Sequence, residues 1–232
     1  MPHAETARPE PGRIVLVASP KGGVGKSSLC RNLLVSAARE GIRVLGLDLD
    51  PQQTLAKWHA RRERVRQTYP DCVNVPVSAV PIADWRSALK QAPSYDLLVI
   101  DTPPGIEVQY SASLSLCSAA DLILVPTGAT QDDVDSCTPW MRTILDAGIP
   151  ASFVLNKANR RVRSYETIRT KLLQAGPLCP VEIPILEEIH VSAGKGLAIM
   201  DFAKPKAGET FAALWAYVAR EAKINIPAEA TP

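Results

Sequence analysis

The chain has 232 residues, 46% of them hydrophobic and 22% charged, a globular composition with enough apolar material to bury the core of one α/β domain. Its 26 basic and 24 acidic residues leave a net charge of +2, which excludes nucleic-acid binding through bulk charge and requires a local patch for any such activity. No apolar run reaches the about 20 residues that span a bilayer, and the five cysteines form no CxxC pair, which argues for reduced thiols over a disulfide framework or a zinc site.

Met1 to Gly12 is polar and proline-rich and has no apolar signal core, so it is expected to be a flexible segment ahead of a cytoplasmic domain at residues 13–223, with residues 224–232 as a flexible tail. Arg13 to Ala18 is a short apolar run that reads as a buried strand, and Leu29 to Arg39 has helical periodicity. Between them stands Ser19-Pro20-Lys21-Gly22-Gly23-Val24-Gly25-Lys26-Ser27-Ser28. Glycines there let the backbone turn tightly with its N–H groups inward, and the helix start adds its positive dipole end, so the turn can hold a phosphate chain. In a loop of this kind Lys26 reaches the β- and γ-phosphates and the Ser27 hydroxyl meets Mg²⁺. The general pattern wants a glycine where Pro20 stands, and a second lysine, Lys21, sits at the loop entrance.

Glu40-Gly41 stops the helix, and Ile42 to Asp48 reads as a strand ending in Asp48-Leu49-Asp50-Pro51-Gln52. Side chains two apart on a strand share a face, so Asp48 and Asp50 can both look at a ligand at the carboxyl end of a parallel sheet. Thr54 to Thr68 is a basic helix carrying Lys57, Arg61, Arg62, Arg64 and Arg66, read as a solvated face, with Trp58 and His59 as packing residues. Cys72 to Val80 reads as a third strand and Ile82 to Gln91 as a short helix. Tyr95 to Ile100 is an apolar strand ending in Asp101 and the turn Thr102 to Gly105, the form of a Walker B segment whose carboxylate holds Mg²⁺ through water.

Beyond it, Ser111 to Ala119 reads as a helix, Asp121 to Thr127 as a strand, and Gln131 to Ala147 as a helix capped by Thr130 with Asp132 and Asp133 in its first turn. Ala151 to Lys157 is another strand, and Val181 to Ile185 the last one. The densest basic stretch holds Arg160, Arg161, Arg163, Arg169 and Lys171, with Arg163 and Arg169 placed on a helix. Thr210 to Lys223 carries Phe211, Leu214, Trp215 and Val218 at helical spacing and is expected to close the core. The alternation predicts a doubly wound, mostly parallel α/β sheet flanked by helices, with its ligand at the carboxyl ends of the strands.

The string KGGVGKSS resembles the deviant Walker A box of the ParA/MinD ATPases, DLDPQ resembles their second box, and DTPPG resembles their Walker B turn. That resemblance implies an Mg²⁺-dependent ATPase in which ATP joins two identical chains and Lys21 crosses to the partner's nucleotide. It makes Lys21 through Ser28 (Gly22, Gly23, Val24, Gly25, Lys26 and Ser27 between them) the nucleotide cradle, Ser27, Asp48 and Asp101 the magnesium residues, and Lys21, Lys26 and Asp50 the residues of hydrolysis, with Asp50 positioning the attacking water. Asn156 matches the base-recognising strand end, an adenine contact or simply a turn residue. Arg160, Arg161, Arg163, Arg169, Lys204 and Lys206 match a surface that holds DNA without sequence preference, or form a solvated face.

The function so implied is a slow, partner-stimulated cycle that segregates or positions a cargo: a plasmid, a chromosome origin or a protein assembly. The stimulating partner is a ParB-like protein or cargo adaptor, and the ATP state is nucleoid-associated. Two other readings are a MinD-like spatial regulator, disfavoured because the tail is not amphipathic and points to no membrane, and an electron-transfer ATPase similar to nitrogenase iron protein, for which Cys117 and Cys137 are loosely placed.

Overall fold

The computed structural model describes residues 12–105 and 110–227. The expected leader up to residue 11 and the tail from residue 228 lie outside the described residues. Five central strands form where the apolar runs stand: β1 (Arg13–Val17), β2 (Val44–Asp48), β4 (Leu97–Asp101), β5 (Leu122–Thr127) and β6 (Ala151–Ala158). Two short strands, β3 (Val77–Ala79) and β7 (Ile183–Pro184), edge a sheet in the order β3-β2-β4-β1-β5-β6-β7, with every pairing parallel. The doubly wound parallel sheet is therefore the fold.

Alternate side chains along each strand enter different layers. Val15 and Val17 pack with α1 (Lys26–Arg39), α2 (Thr54–Thr68), α7 (Glu187–Gly194) and α8 (Gly208–Glu221), whereas Leu16 packs with α3 (Trp85–Ala88), α4 (Tyr110–Cys117), α5 (Gln131–Asp146) and α6 (Tyr165–Ala175). A strand apolar on both faces is what a covered parallel sheet demands. Gly46 marks how closely α1 approaches: a Cβ there would lie 2.9 Å from Leu34 Cδ1. From β1 the chain crosses to β2 on one side, and from β4 it crosses to β5 on the other. The two strands are neighbours, so their carboxyl ends form the crevice where such sheets take ligands.

The edges depart from expectation for a local reason. The third strand, expected over 72–80, is confined to Val77–Ala79 between Pro76 and Pro81. Proline lacks the N–H a ladder needs, so the strand cannot start earlier or run on. Pro180 and Pro184 shorten the last strand in the same way. The helix α7 was not expected, although Glu187 and Glu188 in its first turn are the acidic pair a helix start favours.

Arg62 corrects the reading of the basic helix. It is 0% exposed, bonds Asp201 through Nη1 at 2.7 Å and Nη2 at 3.0 Å, and donates to the Val73 carbonyl. Its partner is 139 residues away, beyond any sequence pattern. At the other end, Ile224 is buried and donates its N–H to the Ala219 carbonyl, so packed structure runs past Lys223.

Candidate nucleotide-binding site

The loop from Ser19 to Gly25 leaves β1 at the crevice and enters α1 through Gly25. Gly25 has φ 98, and a Cβ on it would stand 2.1 Å from Asn156 Nδ2, so both conformation and space require glycine. Asn156 Nδ2 donates to the Val24 carbonyl at 2.7 Å, and its Oδ1 accepts the Lys157 N–H at 2.8 Å. Lys157, at φ 55, donates from Nζ to the Gly23 carbonyl at 2.8 Å. The end of β6 thus clamps the loop from below. Asn156 lines the cavity, and its amide group fastens the loop backbone.

Lys26 is buried, with Nζ donating to the Lys21 carbonyl at 2.9 Å and the Ser19 carbonyl at 3.5 Å. Burial lowers its pKa, and Asp101 opposes that. The Lys21 side chain turns the other way, its Nζ 3.2 Å from Asp133 Oδ1 at the start of α5. Thr130 caps that helix as expected, accepting the Asp133 N–H. Lys26 thus meets only neutral carbonyls, whereas Lys21 is paired with a carboxylate.

Asp48 and Asp101 are paired residues on β2 and β4 and lie on the α1 face. Asp101 is 1% exposed, and neither carboxylate oxygen has a full hydrogen bond; burial lifts its pKa to about 7, with the neighbouring Ser27 hydroxyl pulling the other way. A buried carboxylate left without partners beside a hydroxyl is an all-oxygen donor set, suited to a hard cation such as Mg²⁺. Asp48 differs: Oδ1 accepts the Asp50 N–H and Oδ2 the Ala56 N–H, so it holds the entry of α2, and burial raises its pKa. Asp50 faces the cavity and accepts the Gln52 N–H at 2.8 Å. The Walker B turn is tied to the loop, because Gly105 N–H donates to the Pro20 carbonyl at 2.8 Å.

The cavity itself holds about 400 Å³. Loop residues Gly22, Gly23 and Gly25 to Ser28 form one end, and Pro184, Ile185, Ile189 and His190 form the other. Sequence reasoning missed that second end and also missed Arg31, a wall residue; Asp133 was noted only as a helix-start residue. Each is brought in by tertiary packing, with the unexpected α7 as the one local signal.

The expected DNA-binding residues divide. Arg160 Nη2 lies 2.9 Å and Arg169 Nε 3.2 Å from Glu182, whose side chain is 6% exposed and also accepts the Tyr165 hydroxyl. Arg161, Arg163, Lys204 and Lys206 are exposed and in no salt bridge among the described residues, Arg160 is exposed as well despite its pairing, and Arg163 lies in the turn before α6, outside the helix expected for it. Cys117 and Cys137 are both 0% exposed inside the core, where burial raises the Cys117 thiol to about 12. Thiols so buried are not presented at the surface, where the iron-protein reading needs them.

Comparison with known proteins supplies the context. Residues 15–199 match the CobQ/CobB/MinD/ParA nucleotide-binding domain family. The chain is 27% identical over 208 residues to the probable plasmid-partitioning protein ParA of Thermus thermophilus, covering 71% of this chain and 64% of that protein. It is 31% identical over 143 residues to the chromosome-partitioning ATPase Soj of the same organism, covering 50% of this chain and 55% of Soj. It therefore spans less than two thirds of the length of these relatives. The septum site-determining protein MinD of Pyrococcus horikoshii, solved with Mg-ADP, superposes with a TM-score of 0.70 at 20% identity, covering 92% of this chain and 98% of that one.

Proposed function

Because this chain belongs to the CobQ/CobB/MinD/ParA nucleotide-binding family, we propose that it is a ParA-type ATPase whose ATP-bound form pairs with a second copy, binds DNA without sequence preference and moves or positions a cargo. The observation that carries the reading is the pair of lysines at one loop: Lys26 folded inward on the carbonyls of Ser19 and Lys21, and Lys21 turned outward onto Asp133. One lysine serves the chain's own phosphates, and the other is free to serve a partner's once Asp133 releases it. The relatives named for plasmid and chromosome partition support this choice of function.

The chemistry is positioning and charge neutralisation. The backbone N–H groups of Gly22 to Ser28 cradle the phosphates, and Lys26 answers the charge that grows on the leaving oxygen. Ser27 and Asp101 would hold Mg²⁺, which would supply charge neutralisation at the phosphates. Asp50, at the cavity wall, orients the attacking water; Asp48 keeps that wall in place through its bonds to the Asp50 and Ala56 N–H groups. Asn156 holds the loop and retains one N–H for the base. A cargo-bound adaptor of ParB type stimulates the turnover, and hydrolysis separates the two chains. Arg161, Arg163, Lys204 and Lys206, with Arg160 exposed beside its Glu182 partner, are the cations open to DNA phosphates, doubled in number by pairing.

The test is phosphate release from Mg-ATP by the purified chain, with Asp50→Ala alongside. Slow release by the native chain and none by the variant, which still binds ATP, is expected. Release by Asp50→Ala at the native rate contradicts the role given to Asp50.

A further inference from the structure

Five residues beyond Lys26, α1 carries an arginine that the roles above leave unused. Arg31 is 6% exposed and lines the nucleotide cavity. Its Nη2 donates to Ser28 Oγ at 2.9 Å and to the Ile189 carbonyl at 3.2 Å, both neutral acceptors. Nε is buried without a partner, and Arg31 makes no salt bridge among the described residues. Burial lowers its pKa to about 10, with Cys30 and the Asp101 carboxyl opposing that and the cation of Arg61 adding to it. A buried guanidinium facing only neutral oxygens is costly, and the cost is removed when an anion arrives. Tying α1 to the Ile189 carbonyl needs no charge, since a neutral amide could do it.

We propose that Arg31 binds the α-phosphate of the nucleotide, an inference that rests on the ATPase reading and adds a contact to its substrate site. The position follows from the two residues that Arg31 joins. Lys26 marks the β- and γ-phosphates and Ser27 the metal; Ser28 follows in the chain, and Pro184, Ile185, Ile189 and His190 line the same cavity. A nucleotide with its terminal phosphates at Lys26 and its base at that far end carries its α-phosphate past Ser28. Arg31 is hydrogen-bonded to Ser28 on one side and to the far end, through Ile189, on the other. The guanidinium then reads the first phosphate and fixes where the sugar and base begin.

Titration calorimetry with ADP on native, Arg31→Met and Arg31→Lys protein tests this, followed by the two diastereomers of the α-thio analogue of ADP. Arg31→Met is expected to bind ADP about tenfold more weakly, the scale of one hydrogen bond to a charged group, with Arg31→Lys in between. The native chain should prefer one diastereomer, and Arg31→Met should treat both alike, while its ligand-free melting temperature holds or rises. ADP affinity within about twofold of native, or a loss that leaves the diastereomer preference intact, overturns the proposal, because a merely structural tie predicts the latter. Should Arg31→Met not fold, Arg31→Lys decides: a changed preference supports the contact and an unchanged one overturns it. A native chain that binds neither ADP nor ATP defeats the ATPase reading and this inference together, an outcome distinct from native binding without an Arg31 effect.

Discussion

The two ends of the cavity are built in opposite ways. At the phosphate end, ten consecutive residues from Ser19 to Ser28 supply loop, helix start, lysines and hydroxyl. At the far end, the lining comes from Pro184 to His190, reached through an edge strand of two residues and a helix of eight. One end is held by a central strand pair and by the Asn156–Lys157 clamp; the other sits where the sheet runs out. In the proposed function, the contiguous backbone cradle takes what every nucleotide shares, and the packed edge takes what distinguishes one from another.

Substitutions at the phosphate end should therefore have the larger effects. Lys26→Ala is expected to weaken ATP binding by about a hundredfold or more, measured by calorimetry, because a buried cation and its phosphate bonds go together. Gly25→Ala should lose nearly as much, since its Cβ would meet Asn156 Nδ2 at 2.1 Å and force the loop off its clamp; ATP affinity near native would show that the loop is not held by Asn156. At the far end, His190→Ala is expected to shift the preference for ATP over GTP by only a few-fold, and a loss as large as that of Lys26→Ala would erase the contrast between the ends.

A fourth test concerns stability. The Asp101 carboxyl has a folded pKa of about 7 against an ordinary 3.8, so the native chain holds a proton that the unfolded chain releases within that window. Stability from this group is present in full below pH 4 and is lost as pH rises through about 7. Asp101→Asn should accordingly raise the ligand-free melting temperature by about 5 °C at pH 8 and by much less at pH 5, read by calorimetric scans. An equal gain at both pH values would mean that the carboxylate is not the source.

The same contrast explains what could be read from the chain alone. The central strands announce themselves because each is an apolar run of five or more residues, and Asp48, Asp50 and Asp101 because they end such runs. The loop is legible because its chemistry is contiguous. The edge strands were overdrawn because β-rich composition around Cys72 and Val181 hides the prolines that break the ladder. Arg62 was read as solvated because its carboxylate, Asp201, lies on the turn after α7. Arg31 and the partnership of Lys21 with Asp133 share that cause: the meaning of each side chain depends on a residue far away in the sequence.

Sedimentation velocity of the native chain and of Lys21→Ala, each with Mg²⁺ and a non-hydrolysable ATP analogue, tests the central claim that the outer lysine joins two copies through nucleotide. The account predicts a native dimer that forms only with the analogue, and a Lys21→Ala chain that binds the analogue yet sediments as a monomer. A native chain that stays monomeric when saturated, or a Lys21→Ala chain that pairs as readily as the native one, would contradict it.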